Sequence, residues 1–520
     1  MRRLFATIFS FIVLQTATIA APEMTFSFPH IQPAVKTFSD GSTLIQFPVG
    51  TDLSHILESA TISVGGERVR PSDISPNPAL ADVSDGAEIT FTYREKNYTF
   101  HFSEGRYFTA IMMSDAHLPT NIDQREASFG SVSRMQNVVN NMINMGTADG
   151  TVFQFDALPG FVPTCDIVFN LGDMDWDNVT EASQSNFPEA FSGFYKARIP
   201  FVLMTGNHDL NSYTTLDSAY AAQNDFSLRL VSAYLDTLKM VCHERNLDLG
   251  DIKRFRDNTT HTQPEAWTFT FNGIRFYCGQ TYFFEHAYAK SGGNYYRYAP
   301  DGIINSLRTF VLDEERHHPA TPAVWMQHYS FYNYRSTNVV QGIHYYWSDG
   351  YGGKSKNKTT HDTSVYFTHQ KITSDSICLL RTQQKRDSLL SIISHTYRPT
   401  FFSGHAHKFL VSDVTDYACD NDLSTNRYFA NDGATHIIDY TVTSAGADGK
   451  AYIVLMKENK GVIEVKEANF SNVSNGITVV RSQKNADNRI YNLHGVAVGT
   501  GTKALPSGIY IRNEKKLIVR

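Results

Sequence analysis

Three apolar runs in this chain, TAIMM, DIVFNL and PFVLM, each stop at residues suited to holding metal ions, and that arrangement restricts the fold. The stops are SDAH at 114–117, GD at 172–173 and GNHD at 206–209, with His328 in WMQHYS and GHAH at 404–407 following in the same style. Between the first three, SRMQNVVNNMINM and FPEAFSGFYKA have helical spacing. Apolar runs alternating with amphipathic helices describe an α/β fold whose ligands sit on loops at strand ends. Such loops can meet in space although their sequence positions lie far apart.

At 520 residues, with 42% hydrophobic and 13% aromatic content, the chain exceeds what one core usually serves, so two or three domains are expected. Its 46 Lys and Arg against 52 Asp and Glu leave a net charge of -6, with a pI near 6.3. That balance gives no electrostatic reason for a nucleic-acid surface, and small or metal-screened substrates fit better.

The opening MRRLFATIFSFIVLQTATIA carries two arginines, an apolar run and small residues before Ala20, which is the pattern of a secretory signal over 1–20. The run is too short to span a bilayer, and no transmembrane segment follows. The expected location is outside the cell or on its outer surface, reached through export machinery, or the periplasm if the tail described below is not used. Five cysteines (Cys165, Cys242, Cys278, Cys378, Cys419) lack CxxC spacing. An exported protein could pair some of them and leave at least one free; the alternative is that they are small buried hydrophobes.

From 22 to 105, short alternating stretches such as TLIQFPV, ATISV and EITFTY, broken by Gly and Pro clusters, describe a small all-β sandwich. Past Asp209, a helix is expected near 216–245, a hairpin over AWTFTFNGIRFYCGQTY, a helix near 301–317 and another over 381–394. A second hairpin turns around Glu458, Asn459, Lys460 and Gly461. Two aromatic insertions, 292–300 and 331–358, suit the lining of a substrate cleft as well as plain surface loops. Within the second, Arg335 can pair with phosphate, and Tyr332, Tyr334, His344 and Trp347 can cover a flat leaving group.

Two cations about 3.5–4 Å apart need a carboxylate between them to offset their repulsion and further ligands on either side. Imidazole, carboxylate and amide donors suit Fe, Zn or Mn alike. An Asn among them ligates without adding negative charge. A water between the ions would then be acidic enough to attack phosphorus in line. His208, with Asp209 orienting its ring, fits the general acid that protonates the leaving group.

The ordered set DxH, GD, GNHD, H and GHxH resembles the calcineurin-like metallophosphoesterase superfamily over roughly 106–472. The resemblance implies a two-sheet α/β sandwich around a dinuclear site. It places Asp115, His117, Asp173 and His407 on the first metal. Asp173 as the bridge, Asn207, His328 and His405 fall on the second, and His208 faces the substrate. Expected substrate contacts are therefore Asn207, His208 and Arg335. The purple acid phosphatase pattern is disfavoured, because His117 and Trp176 stand where that branch has Gly and Tyr. His328 is followed by Tyr329 and Ser330 instead of the common Pro.

GTDLSHIL and SDGAEITFTYREKNYTFHF resemble bacterial immunoglobulin-like modules, which act as spacers or docking units. Over 476–520, IYNLHG, LPSGIYI and Lys515 with Lys516 resemble the C-terminal sorting domain of the type IX (Por) secretion system; the alternative is a terminal hairpin completing the catalytic fold. Asp175, Asp177 and Asn178 read as solvated loop residues, His243 with Glu244 lacks the second His of a zinc peptidase helix, and His344, His361, His369 and His395 read as ordinary histidines. The whole describes a secreted phosphoesterase with two metal ions. The rival is a non-catalytic cell-surface binder on the same fold, against which the retention of Asp173, Asn207 and His208 speaks.

Overall fold

The computed structural model of the chain describes residues 24–119, 130–147, 150–174, 181–206, 209, 227–255, 266–279, 287–291, 294–298, 301–328, 339–340, 343–344, 389–405, 407, 409–413, 437–471, 490–492, 497–499, 508–512 and 515–519. The signal segment 1–20, Asn207, His208, Arg335, Cys378 and Cys419 lie outside them, as do Tyr332, Tyr334, Trp347, His361 and His369.

The chain begins with β1 (Met24–Ser27), β2 (Ala34–Thr37), β3 (Thr43–Phe47), β4 (Thr61–Val64), β5 (Glu67–Val69), β6 (Glu88–Tyr93) and β7 (Lys96–Glu104). These strands form two sheets, β1-β4-β5 and β2-β3-β7-β6, the second containing one parallel pair, β3 with β7. Met24, Ile45, Phe47, Phe91, Phe100 and Phe102 close a core between them. Alternation predicted half-buried strands here, yet all five residues of β3 are buried. The reason is a second neighbour: Ile45 and Phe47 join the sandwich core, while Leu44, with Phe38, joins the larger core behind it.

The next elements are β8 (Tyr107–Met113), α1 (Val132–Ile143), β9 (Ile167–Asn170), α2 (Glu181–Lys196), β10 (Phe201–Leu203) and α3 (Ser227–Glu244). There follow β11 (Lys253–Phe255), β12 (Ala266–Phe271), β13 (Ile274–Gly279), β14 (Ala287–Ser291), β15 (Asn294–Tyr298), α4 (Asp301–His317) and β16 (Pro322–Met326). Then come β17 (Val339–Val340), β18 (Ile343–His344), β19 (Tyr397–Ser403), β20 (Leu410–Asp413), β21 (Ile438–Thr441), α5 (Ala445–Asp448), β22 (Lys450–Lys457) and β23 (Gly461–Asn469). Residues 389–393 are helical, the described end of the helix expected over 381–394.

Two large sheets result, ordered β10-β9-β8-β22-β23 and β11-β12-β13-β16-β19-β21-β20. Each contains a run of parallel strands: β10, β9 and β8 from one edge of the first, and β13, β16, β19 and β21 in the middle of the second. Strands that run parallel end on the same side, so every motif-bearing strand delivers its loop to one edge of its sheet. The inner faces share one core, in which Phe169 of the first sheet stacks on Phe276 of the second at 4.9 Å. The fold is thus a two-sheet α/β sandwich with a smaller all-β sandwich in front.

Helix α1 shows why these segments coil as they do. The Ser131 side chain accepts from Arg134 N at 3.2 Å to cap its start, and Val132, Met135, Val138, Val139 and Met142 line one buried face. Helix α2 runs six residues ahead of its apolar spacing and continues through Pro188. The expected hairpins are present as β12 with β13 and β22 with β23. Cys165, Cys242 and Cys278 are free, buried thiols, and burial pushes each well above the usual thiol range, Cys242 to about 11.

Only Gly105 and Arg106 separate β7 from β8, and the two sandwiches are tied along this corner. Tyr107 N donates to Gln46 Oε1 at 2.5 Å, Lys457 Nζ donates to Asp85 Oδ1 at 2.6 Å, and Phe38 meets Phe161 edge-on. The stretch from Met1 to Ser471 is one compact unit, and Asn472–Arg520 is another. That second unit holds β24 (Ile490–Asn492), β25 (Ala497–Gly499), β26 (Gly508–Arg512) and β27 (Lys515–Val519) in an antiparallel sheet ordered β25-β24-β26-β27. Among the described residues, no helix is long and apolar enough to cross a membrane.

Candidate metal centre

The loops after β8, β9, β10, β16 and β19 carry the five motifs, and their backbones are stitched before any side chain is considered. Asp115 N donates to Gly172 O at 2.9 Å, His117 N to Asp173 O at 3.0 Å and Leu118 N to Met174 O at 2.7 Å, so the first two loops are zipped past the ends of their strands. Gly404 N donates to His328 O at 2.8 Å, joining the fourth loop to the fifth. His405 N donates to Asp115 Oδ2 at 2.9 Å, which links the first sheet to the second.

Five of the expected ligands hold a left-handed backbone: φ is 55° at Asp115, 47° at His117, 53° at Asp173, 69° at His405 and 53° at His407. A residue with a Cβ pays roughly 1–3 kcal/mol for such a conformation, and it persists only where the surroundings impose it. Here the stitching imposes it. At Asp115 the carbonyl accepts from Ser444 Oγ at 2.8 Å and Gly446 N at 3.2 Å, while its N–H is held by Gly172.

Six of the seven expected ligands come together in two groups, Asp115 with His117 and His407, and Asp173 with His328 and His405. The ligand atoms within each group lie within 4.8 Å of one another. In the first, His117 Nε2 is 2.9 Å from His407 Nε2, and Asp115 Oδ1 is 3.1 Å from His407 Nε2 and 3.6 Å from His117 Nε2. In the second, His328 Nε2 is 3.1 Å from Asp173 Oδ2, and the rings of His328 and His405 meet edge-on at 5.3 Å. Asp173 Oδ2 also lies 3.9 Å from His117 Nε2, so this carboxylate stands between the groups.

These spacings fit an ion at each group. Donors held about 2.0–2.2 Å from a cation at tetrahedral or octahedral angles are themselves about 2.8–3.6 Å apart. Asp115 Oδ1 is buried and accepts no hydrogen bond among the described residues, a costly arrangement that a cation would relieve. His328 is prepared as a ligand, since its Nδ1 donates to Leu171 O at 2.9 Å and its Nε2 is left to face Asp173. Nothing in the spacing separates Fe from Zn or Mn.

In the metal-free protein the same groups pair with one another. Burial alone would raise the Asp115 carboxyl, but the adjacent His407 and His117 imidazoles hold it well below the ordinary carboxylate range. Burial likewise opposes a charge on His328, yet the facing Asp173 outweighs it and lifts the imidazole to about 9. The centre opens to solvent at His405 and His407, both partly exposed, the His407 side chain to 37%, whereas Asp115, His117, Asp173 and His328 are sealed.

Asn207, His208 and Arg335 lie outside the described residues. Asp209 is described, is fully buried, and accepts from Met174 N at 3.1 Å through Oδ1 and from Gly206 N at 2.7 Å through Oδ2. Sequence reading missed the residues that support the site from behind, Leu171 and Ser444. A signal for Ser444 exists: it follows the run IIDYTVT and caps α5 by accepting from Ala447 N at 3.0 Å.

No family model matches the chain, and no curated protein matches it. Among solved structures that match is a crystal structure of a 5'-nucleotidase precursor from Thermus thermophilus, 9% identical with a TM-score of 0.30, covering 70% of this chain and 54% of that one. The chain thus spans about half the length of that protein.

Proposed function

We propose that this protein is an exported phosphoesterase that works with two metal ions and hydrolyses small phosphomonoesters or phosphodiesters. One observation carries the reading: two groups, each of one carboxylate and two imidazoles, meet at the converging loop tips of two sheets, with Asp173 between them. Ligands so arranged hold a pair of ions, which supply Lewis acidity toward a phosphoryl oxygen and make a nucleophile available at neutral pH.

The chain's own part follows from its donors. Asp173 offsets the repulsion between the two charges, and Asn207, a neutral ligand by its place in the motif, leaves the pair electrophilic. His208 gives a proton to the departing oxygen, and Arg335 pairs with the phosphate. The signal segment and the C-terminal unit, read as a sorting domain, take the protein to the outer surface, with the N-terminal sandwich as an immunoglobulin-like module in front of the enzyme.

Metal analysis combined with turnover of mono- and bis-(nitrophenyl) phosphate tests this reading. Two ions per chain with turnover support it. Metal binding without turnover on either ester would instead make the chain a non-catalytic surface binder.

A further inference from the structure

The loops after β8 and β9 are zipped by three backbone bonds, and the loop after β10 meets the loop after β9 in a different way. The ladder of β9 with β10 ends at Leu203 opposite Asn170, followed by one more bond, Met204 N to Asn170 O at 3.0 Å. Beyond that point the two loops touch through glycines. A Cβ at Gly172 would lie 2.6 Å from Gly206 N and 2.8 Å from Gly206 Cα, and one at Gly206 would fall on Asp173 Oδ1. Two loops packed this closely present N–H groups to each other and have little room for a side chain between them.

Asp209 reaches in from the side and takes both N–H groups. Its Oδ1 accepts from Met174 N, next to the bridging Asp173, and its Oδ2 from Gly206 N, next to Asn207. A fully buried carboxylate is tolerable because it receives these charge-assisted bonds. We propose that Asp209 is a positioning residue whose carboxylate clamps the Asp173 loop to the Asn207 loop, so that these two of the second ion's four expected ligands stay at one centre. The inference rests on the dinuclear reading above, and it gives Asp209 a task apart from orienting the His208 ring.

Asp209→Asn is the direct test, because the amide keeps one acceptor but turns an N–H donor toward a backbone N–H. Wild type, Asp209→Asn and His208→Ala are each titrated with Mn(II), and three quantities are followed: stoichiometry, the exchange-coupled electron paramagnetic resonance signal of a close Mn pair, and the rate on esters with leaving groups of different pKa. The clamp predicts that Asp209→Asn keeps one tight ion and binds the second about 10–100-fold more weakly. It also predicts loss of the coupled signal at limiting metal, partial recovery of rate in excess Mn(II), and an unchanged dependence on leaving group. His208→Ala should do the reverse, holding two coupled ions and losing rate most on poor leaving groups.

Two tight, coupled ions in Asp209→Asn would overturn the proposal, as would a leaving-group pattern matching His208→Ala. If Asp209→Asn does not fold, amide exchange in metal-free wild type decides: Met174 and Gly206 N–H groups protected like strand amides support the clamp, and exchange at open-loop rates overturns it. A wild type that takes up fewer than two Mn(II) would overturn the dinuclear reading, not the clamp, which the exchange measurement still tests.

Discussion

The group of Asp115, His117 and His407 and the group of Asp173, His328 and His405 each combine one carboxylate with two imidazoles, yet they are supported differently. Asp115 is gripped through its main chain by Gly172, Ser444 and Gly446 and through Oδ2 by His405 N, while His407 is partly open to solvent. In the second group the fixed point is an imidazole: His328 is fully buried and anchored by Nδ1 to Leu171 O. Each group has one partly exposed imidazole, His407 or His405, but the anchored residue is a carboxylate in the first and a sealed histidine in the second. Water can stand in for a lost ligand only where it can enter.

Asp173→Ala breaks the comparison outright, because this residue stands between the groups. Both ions should be lost together, and activity should fall by about 10³-fold or more, the loss expected when groups facing developing charge are removed. Metal content and turnover measured on the same sample check this. Retention of one tight ion would show that the groups are independent.

His328→Ala against His407→Ala sharpens the contrast. Removing His328 leaves a sealed space and takes away the imidazole nearest Asp173, so stability and the second ion should both suffer, and added metal should restore little. Removing His407 leaves an opening that water can fill. Metal affinity there should drop by about 10–100-fold, with rate recovered in excess metal. Equal recovery for the two variants would remove the distinction between an open and a sealed ligand.

How much of this was readable beforehand follows from the forces involved. The motifs were legible because each ends an apolar run, and burial on both faces of β9, β10 and β16 leaves no alternation to confuse the reading. The strand β22 was legible as a buried strand, but not its place beside β8, since an apolar run does not say which open edge it will fill. The burial of β3 on both sides was hidden for a related reason: Thr43, Gln46 and their neighbours read as an alternating edge until the second layer is present. The left-handed backbone of the ligands was invisible, because Asp and His give no sequence sign of positive φ. Asp209 was legible as a functional residue of GNHD, whereas its two N–H partners depend on how closely Gly172 and Gly206 approach.

Acidity offers a finer probe of the sealed histidine. In metal-free protein His328 is lifted to about 9 by Asp173, against an ordinary value near 6.5, so its charged form stabilises the fold. That contribution is fully present below about pH 6.5 and disappears as pH rises through 9. Metal-free protein should therefore lose thermal stability across this window, whereas metal-loaded protein, with a neutral His328 as ligand, should not follow the same slope. Over the same range the apparent affinity for metal should rise by up to about tenfold per pH unit as the competing proton leaves. Parallel melting curves for the two forms would contradict the pairing.

The smallest expected effect concerns Ser444, which supports the first group without touching a ligand side chain. Its hydroxyl donates to Asp115 O and accepts from Ala447 N, serving both the left-handed turn at Asp115 and the start of α5. Ser444→Ala should cost about 1 kcal/mol, the usual worth of a helix cap. Gly446 N and Gly172 O still hold the Asp115 main chain, so the turn should survive and activity should fall only a few-fold. The informative quantity is the ratio between the sites: a backbone support acting on Asp115 should weaken metal at the first group and leave the group of Asp173, His328 and His405 unchanged. Equal weakening at both, measured by titration with Mn(II), would mean that the stitching spreads strain across the whole centre and that the two groups are mechanically one.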